Sequence, residues 1–598
     1  MEIHWISLAA VVTIVLTTAG IGLYATRVVR TTSDYYVASR AVGPFLNASA
    51  ISGEYLSAAS FLGVAGMVMK FGYDVLWYPV GYTAGYLMLL LFVAAPLRRF
   101  GAYTIPDFAE GRLESPNLRK LSVVFVLIIG LFYTLPQMKG AGITLRSILG
   151  VPYWLGVVTV GVLITLNVAL GGMKGITFMQ AFQSMVKMFA ISVPTFFMFI
   201  HFGAYDQLAH QAQSSEVPTF SAPTTLEYGA NSGIKLYAPS QFIAAEQGTL
   251  VETGGKAIQF SAGDSVVLPP GTYFFRTFTR ATFPKDAAIP DAPDSQSWIE
   301  PFGPLSNSQD LALLYTYSLM IAIVFGTAGL PHILVRFYTN RDGHTARKTT
   351  YIVLGLIGFF YLFPPIIGAL GRLHVPELYA SGTTDAVVLK LPEAVAPSLF
   401  GEILSAITSA GAFAAFLSTT SGLMISASSA LSHDIYGRII NPRATARRRL
   451  AAFKISSLLV GGAVIVFGLQ AERFDINALV GWAFAIAASC FFPLLTLGAW
   501  WRRLTSVGAA SGLALGGALS SASIIYTMFA GPQASSQFNP LLWTLLVQPA
   551  LWSLPVAFLT MVGVSLATQK RVPADVKLKM LRLHVPESLG LRTDYITE

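Results

Sequence analysis

Thirteen stretches of about twenty mainly apolar residues run through this chain, each long enough to cross about 30 Å of hydrocarbon as a helix. They lie at approximately 5–25, 45–69, 74–97, 120–146, 152–171, 176–202, 310–335, 349–371, 399–432, 451–470, 475–500, 506–529 and 543–567. Only 12% of the 598 residues are charged, about half the share in a soluble domain. Lipid is therefore the solvent for most of the chain. The expected fold class is an all-α integral membrane protein of about 13 transmembrane helices. Several spans are interrupted by small and polar residues, and those interruptions carry the rest of the reading.

Charge placement gives an orientation. Arg27, Arg30 and Arg40 follow the first span. Arg98, Arg99, Arg112, Arg119 and Lys120 follow the third, and Arg336, Arg341, Arg347 and Lys348 the seventh. Arg438, Arg443, Arg447, Arg448 and Arg449 follow the ninth, and Arg502 and Arg503 the eleventh. The short loops between these carry about five basic residues against about twenty, and basic loops stay in the cytoplasm. The N-terminus is expected outside and the C-terminus inside a cell (inner or plasma) membrane. A cleaved signal peptide would have its basic residues before the apolar run, whereas here they come after it. The net charge of +9 is accounted for by these loops and gives no reason to expect a nucleic-acid partner. Cys490 is the single cysteine, so no internal disulfide and no cysteine metal site can form.

Residues 203–308 are polar and unlike a membrane span. Gly248-Thr-Leu-Val-Glu-Thr and Asp264-Ser-Val-Val-Leu-Pro-Pro-Gly-Thr-Tyr-Phe-Phe-Arg read as short strands joined by turns. A small β-rich extracellular insert is expected there. Around it the chain divides into 1–44, the first span and its loop; 45–202, spans two to six; 309–500, spans seven to eleven; 501–568, two peripheral helices; and 569–598, a cytoplasmic tail.

A membrane helix is interrupted only where the freed backbone is buried or lines a wet cavity. Matching interruptions in two halves of a chain point to a binding site. Span two contains Ile51-Ser-Gly-Glu-Tyr-Leu-Ser-Ala-Ala-Ser-Phe-Leu-Gly63, with Gly53 and Glu54 at mid-membrane depth. Span seven contains Phe325-Gly-Thr-Ala-Gly-Leu-Pro-His-Ile-Leu-Val-Arg336, where Pro331 lacks an N–H and clashes with the preceding turn. The two lie five crossings apart. Units of five helices, 2–6 and 7–11, therefore enter from opposite sides as an inverted repeat.

Span nine is rich in hydroxyls. Positions 405, 408, 415, 418, 419, 422, 426 and 429 recur at three-and-four spacing and share one face. Small and hydroxyl residues on one face serve as packing contacts between helices. They also serve as oxygen ligands for a hard cation, and Ser418 with Thr419, beside an opened span two, favours that second use.

These strings resemble the sodium:solute symporter family, most closely its cation/acetate and monocarboxylate permease branch. The resemblance is carried by Tyr55-Leu-Ser-Ala-Ala-Ser-Phe-Leu-Gly63, Gln137-Met-Lys-Gly-Ala-Gly142, Phe325–Arg336, Ser429-Ala-Leu-Ser-His-Asp-Ile-Tyr436 and Ala483-Phe-Ala-Ile-Ala-Ala-Ser-Cys490. It implies a five-plus-five inverted-repeat (LeuT-type) core working by alternating access. It further implies a sodium site formed by Gly53, Leu56, Ala415, Ser418 and Thr419. Sodium is then the coupling ion, with no other cofactor, and a proton is the alternative. The implied partners are a small carboxylate, the coupling cation and membrane lipid.

For the solute, Tyr55, Ser57 and Phe61 are candidate cavity-lining residues beside the first break. Gln137 is a candidate polar contact. Lys139 has two readings: it attracts a substrate carboxylate, or it reaches along the helix to the outer interface. Gly329 and His332 sit on the second break, where a half-helix N-terminus suits an anion. Glu54 either orients the opened helix or exchanges a proton, and His433 with Asp434 reads as a cap or gate. An enzyme would need clustered metal-ligating or nucleophilic groups, and neither HExxH nor a nucleotide loop appears. A sensor would need an output domain. The expected function is Na⁺-coupled symport of a monocarboxylate of the acetate, propionate or pyruvate class, without catalysis.

Overall fold

The computed structural model describes residues 4–27, 31–203, 206, 216–230, 232–253, 255–302, 309–395, 399–474, 476–530, 538–589 and 594–596. Arg30, residues 207–215 and 303–308 of the insert, and residues 590–593 and 597–598 of the tail lie outside the described residues. Among those described, eleven helical stretches are long and apolar enough to cross a membrane. Three of them have 42 to 49 residues, and two of those are interrupted at a positive-φ glycine. Tyr153–His201 has 49 residues, about 73 Å of helix at 1.5 Å per residue. It reverses at Gly172 (φ 55°, ψ −172°). The stretch Ala59–Phe100 likewise turns between Phe71 and Trp77. With these two divided, the described residues hold thirteen apolar helical segments at the positions of the thirteen apolar runs.

Two helices are broken. The first consists of Pro44–Tyr55, a break at Leu56 and Ser57, and a continuation from Ala58 through a π-helical turn at Ala59–Gly63 into Val64–Phe71. The break thus falls just after Gly53 and Glu54, which close the first half. The second broken helix is Gln309–Thr327 followed by Pro331–Phe337. Pro331 occupies the first helical position of the new half, where its missing N–H costs nothing. The long helix Leu399–Ser429 packs between the first broken helix and the second half of Tyr153–His201. Its hydroxyl face is buried throughout.

The insert is a sandwich of eight strands: β1 (Thr224–Tyr228), β2 (Gly233–Leu236), β3 (Ser240–Ala244), β4 (Gly248–Glu252), β5 (Ala257–Phe260), β6 (Ser265–Leu268), β7 (Gly271–Phe275) and β8 (Thr279–Phe283). They form two antiparallel sheets of order β1-β8-β3-β6 and β2-β7-β4-β5. Alternating inward residues fill the space between them, with Tyr228 stacked 4.4 Å from Phe275 and Phe242 against Phe260 and Phe283. Trp298, in the short helix Ser295–Ile299 after β8, docks the insert onto the bundle. Its indole donates to the carbonyls of Val68 (3.0 Å) and Met69 (2.9 Å), and the Arg372 guanidinium lies 5.4 Å from its ring centre. Arg372 also donates to Ser295 (3.3 Å).

Gly72 makes this docking possible. Its φ is +75°, and a β-carbon there would lie 1.7 Å from the Trp298 carbonyl oxygen. Gly72→Ala should therefore destabilise by about 1–3 kcal/mol through strain and overpacking. Faster proteolysis of the insert and a lower melting temperature in detergent are the expected readouts. A protein as protease-resistant as the wild type would show that the docking does not depend on this contact.

Candidate functional site

The first break frees backbone carbonyls, and the site is built from what satisfies them. Ser57 N–H donates back to the Tyr55 carbonyl (2.8 Å), so the Gly53 carbonyl loses its helical partner. Ala58 N–H donates to the side-chain oxygen of Gln137 (2.9 Å), so the Glu54 carbonyl loses its own. The Thr419 hydroxyl donates to the Glu54 carbonyl at 2.5 Å. The Ser418 hydroxyl reaches the Gly53 carbonyl at 2.6 Å and the Ala415 carbonyl at 3.0 Å. The hydroxyl face of Leu399–Ser429 thus covers the opened backbone of the first broken helix. The structure brings together Gly53, Leu56, Ala415, Ser418 and Thr419, the five residues that the resemblance assigns to sodium.

A side chain stands among them. The Lys187 ammonium, from the second half of Tyr153–His201, donates to the carbonyls of Gly53 and Leu56 (the latter at 2.7 Å) and to Ser418 Oγ at 2.9 Å. Its relative exposure is zero. Thr419 and the Ala415 carbonyl bond elsewhere and do not touch it. Neither residue composition nor the resemblance singled out Lys187. The rule that flags Lys139, that a lysine inside a span is costly and therefore meaningful, applies to it equally.

Beside the ammonium lies a second buried network. Glu54 and Arg336, both fully buried, pair at 2.7 Å. Arg336 also donates to Thr177 Oγ1 (2.9 Å) and to Gln180 Oε1. Gln180 Nε2 donates to the Ser418 carbonyl at 2.7 Å. Glu54 therefore anchors the first broken helix to the second. Gly422 gives it room, since a β-carbon there would lie 1.9 Å from its carboxylate.

The candidate solute residues are all buried. Tyr55 shares a hydrogen bond with Thr327 (2.9 Å) and donates to the Tyr82 carbonyl (3.2 Å), tying the two breaks together. Ser57 Oγ accepts from Ala59 N–H at 3.2 Å. Phe61 lies 6.2 Å from Phe360, centre to centre. Gln137 spends its oxygen on the break, so it serves the backbone where a solute contact had been expected. Gly329 lies close against the Ala487 carbonyl. His332 packs edge-on to Tyr133 at 5.0 Å, and its Nε2 has no hydrogen-bond partner among the described residues.

Lys139 pairs with Asp385 at 2.9 Å and donates to the Phe474 carbonyl at 2.6 Å, on the insert side of the site. On the opposite side Arg119 bridges Asp107 (2.7 Å), Glu110 and Asp434, while His433 Nε2 lies 3.1 Å from Asp107. Burial opposes the Asp107 charge, but His433 and Arg119 outweigh it and hold the carboxyl well below its usual range. Asp107, His433 and Asp434 are close enough together to hold a metal ion, and the Arg119 guanidinium supplies the positive charge there. Asp594 in the tail pairs with Arg40 (2.6 Å) and Arg98 (3.2 Å) on this same side.

Removing one partner of a buried pair leaves the other charge without compensation. Arg336→Met should cost about 3–5 kcal/mol. The double variant Glu54→Gln with Arg336→Met should melt above the single Arg336→Met, because the stranded carboxylate is gone. Equal melting temperatures for the two would show that the pair does not anchor the breaks.

The comparisons agree with this architecture. The model of a family described as the sodium:solute symporter family matches residues 35–238 and 288–516, well over half of the chain. The unmatched 239–287 falls within the β-sandwich. A structure titled as the substrate-bound outward-open state of a Na⁺-coupled sialic acid symporter is 12% identical, with a TM-score of 0.64, covering 94% of this chain and 97% of the other. That likeness shows a LeuT-type fold. A nucleobase-cation-symport-1 family transporter, closed with bromovinylhydantoin bound, is 14% identical over 92% of this chain and 98% of the other. Its TM-score of 0.44 is too low to support the fold. With its matched length, its broken helices and its buried oxygen-lined centre, the chain belongs to the sodium:solute symporter family, and is a transporter rather than an enzyme.

Proposed function

We propose that the chain is a secondary active symporter that carries a small monocarboxylate, of the acetate, propionate or pyruvate class, into the cell together with a cation. The observation that supports an anionic solute is the charge at the centre. Among the described residues at the two breaks, Lys187 and Arg336 are cationic and Glu54 alone is anionic. A surplus positive charge deep in a membrane is costly, and a carboxylate would offset it. The donors around the breaks fit the same class: the N–H groups opening Pro331–Phe337, and His332 and Tyr133 beside them.

In this reading 45–202 and 309–500 are the inverted repeats, with helix breaks at Leu56 and Ser57 and before Pro331. Lys139–Asp385 closes the outer side and the Arg119 cluster the inner side, with the N-terminus outside, the C-terminus in the cytoplasm, and the protein in the cell membrane. Tyr55, Ser57, Phe61, Gly329 and His332 are the solute candidates. Sodium, the ion of the family, is the first reading for the coupling cation. A proton gradient is the second, favoured by the ammonium that stands among the presumptive sodium ligands. Binding of cation and solute would be reciprocally linked, each raising the affinity for the other.

The test is uptake of radiolabelled acetate, propionate and pyruvate into proteoliposomes under an imposed Na⁺ gradient and, separately, a proton gradient. Accumulation of at least one of the three, driven by one of the gradients, is expected. Failure of all three to accumulate or to compete would overturn the substrate class. Uptake indifferent to Na⁺ would overturn sodium coupling.

A further inference from the structure

Lys187 lies two turns after Gln180 on the same helix and belongs to none of the motifs that carry the family resemblance. Its ammonium has three N–H donors and no acceptor capacity. The structure supplies three acceptors: the freed carbonyls of Gly53 and Leu56, and Ser418 Oγ. They come from both helices that a bound cation in this place would hold together. The cage is therefore saturated by a charge the chain carries itself. A sodium ion drawing on Gly53, Leu56 and Ser418 would compete for the same oxygens and sit against a like charge in a medium that screens poorly. The five residues that the resemblance assigns to sodium do not fit a metal while Lys187 is among them.

The charged surroundings agree. Glu54, from the first broken helix, is already paired with Arg336 from the second broken helix. Leu399–Ser429 presents Ser418 and Thr419, which carry no charge, and Gln180 on the same helix as Lys187 is neutral. Among the described residues, the groups bonded to the ammonium are neutral oxygens, which add no negative charge for a second cation.

We infer that the Lys187 ammonium is the resident monovalent cation of this centre, a tethered substitute that excludes sodium from it. The inference rests on the reading of Gly53, Leu56 and Ser418 as the family's cation site, and is independent of which solute is carried. In this account the first break is braced against Tyr153–His201 and Leu399–Ser429 at every sodium concentration. Any sodium that drives transport binds elsewhere.

The experiment measures equilibrium ²²Na⁺ binding and thermal unfolding of the purified full-length protein in detergent, with choline chloride holding the ionic strength constant. The wild type should show no Ser418-dependent sodium binding, and any difference between its melting temperatures in sodium and in choline should be the same in Ser418→Ala. Lys187→Ser removes the ammonium and leaves a small hydroxyl in an oxygen-lined space. It should melt lower in choline and regain stability as sodium rises, because a ligand that binds only the folded state stabilises it by mass action. Adding Ser418→Ala should abolish that gain. Saturable sodium binding by the wild type that is lost in Ser418→Ala would overturn the inference, and so would a folded Lys187→Ser that gains no response to sodium. Should Lys187→Ser fail to fold, the wild type and Ser418→Ala decide alone: sodium binding absent, or insensitive to Ser418, upholds the tethered cation. None of these readings involves a carboxylate, so a failed uptake assay leaves this result standing.

Discussion

A carbonyl freed inside a bilayer has no water to accept from, so whoever opens a membrane helix must supply donors to it. Here the supply is specific. Gln137 takes the Ala58 N–H, Thr419 serves the Glu54 carbonyl, Ser418 serves Gly53, and Lys187 serves both Gly53 and Leu56. Each donor or acceptor comes from a different helix or turn than the one it serves. The break is thus the joint at which three segments of the chain are fastened, and the positions of Tyr55, Ser57 and Phe61 follow from it. Had the helix stayed closed, none of these side chains would have a backbone partner there.

The same economy governs the charges. Buried ionised groups are tolerated when paired and hydrogen-bonded, and the buried pairs named above fall at three depths: Lys139–Asp385 toward the insert, Glu54–Arg336 at the breaks, and Arg119 with Asp107 and Asp434 toward the tail. At two of these depths oxygens converge as they would around an ion. In both places the positive charge is a side chain, the Lys187 ammonium in one and the Arg119 guanidinium in the other.

Much of the architecture could be read from the sequence because lipid imposes long apolar runs that survive any detail of packing. The second break was legible in Pro331, a residue with a fixed local consequence. The first was legible only to within a few residues: Gly53 and Glu54 attract attention by type, but the chain opens after Tyr55, where backbone donors turn to partners distant in sequence. The strands of the insert were legible in its turn residues, whereas their pairing into a sandwich and its docking through Trp298 and Gly72 were not, since those contacts join residues far apart in the chain. Lys187 was missed although its position inside a span was visible. Its partners are mostly backbone carbonyls, which have no signature in the sequence. Gln137 shows the converse, a polar side chain that invites a solute role and serves the backbone.

The Trp298 indole holds the Val68 and Met69 carbonyls near the end of Val64–Phe71, the second half of the first broken helix. That half-helix and the sandwich are therefore mechanically one piece at their junction. Alternating access requires broken helices to tilt, and a tilt of Val64–Phe71 would carry eight strands with it through the medium outside the bilayer. The far edge of the sandwich would sweep a longer arc than the helix that drives it. An appendage most of whose strands lie outside the family match would thus become a pointer whose angle reports the state of the buried break, and anything that grips the pointer would act as a brake on the break.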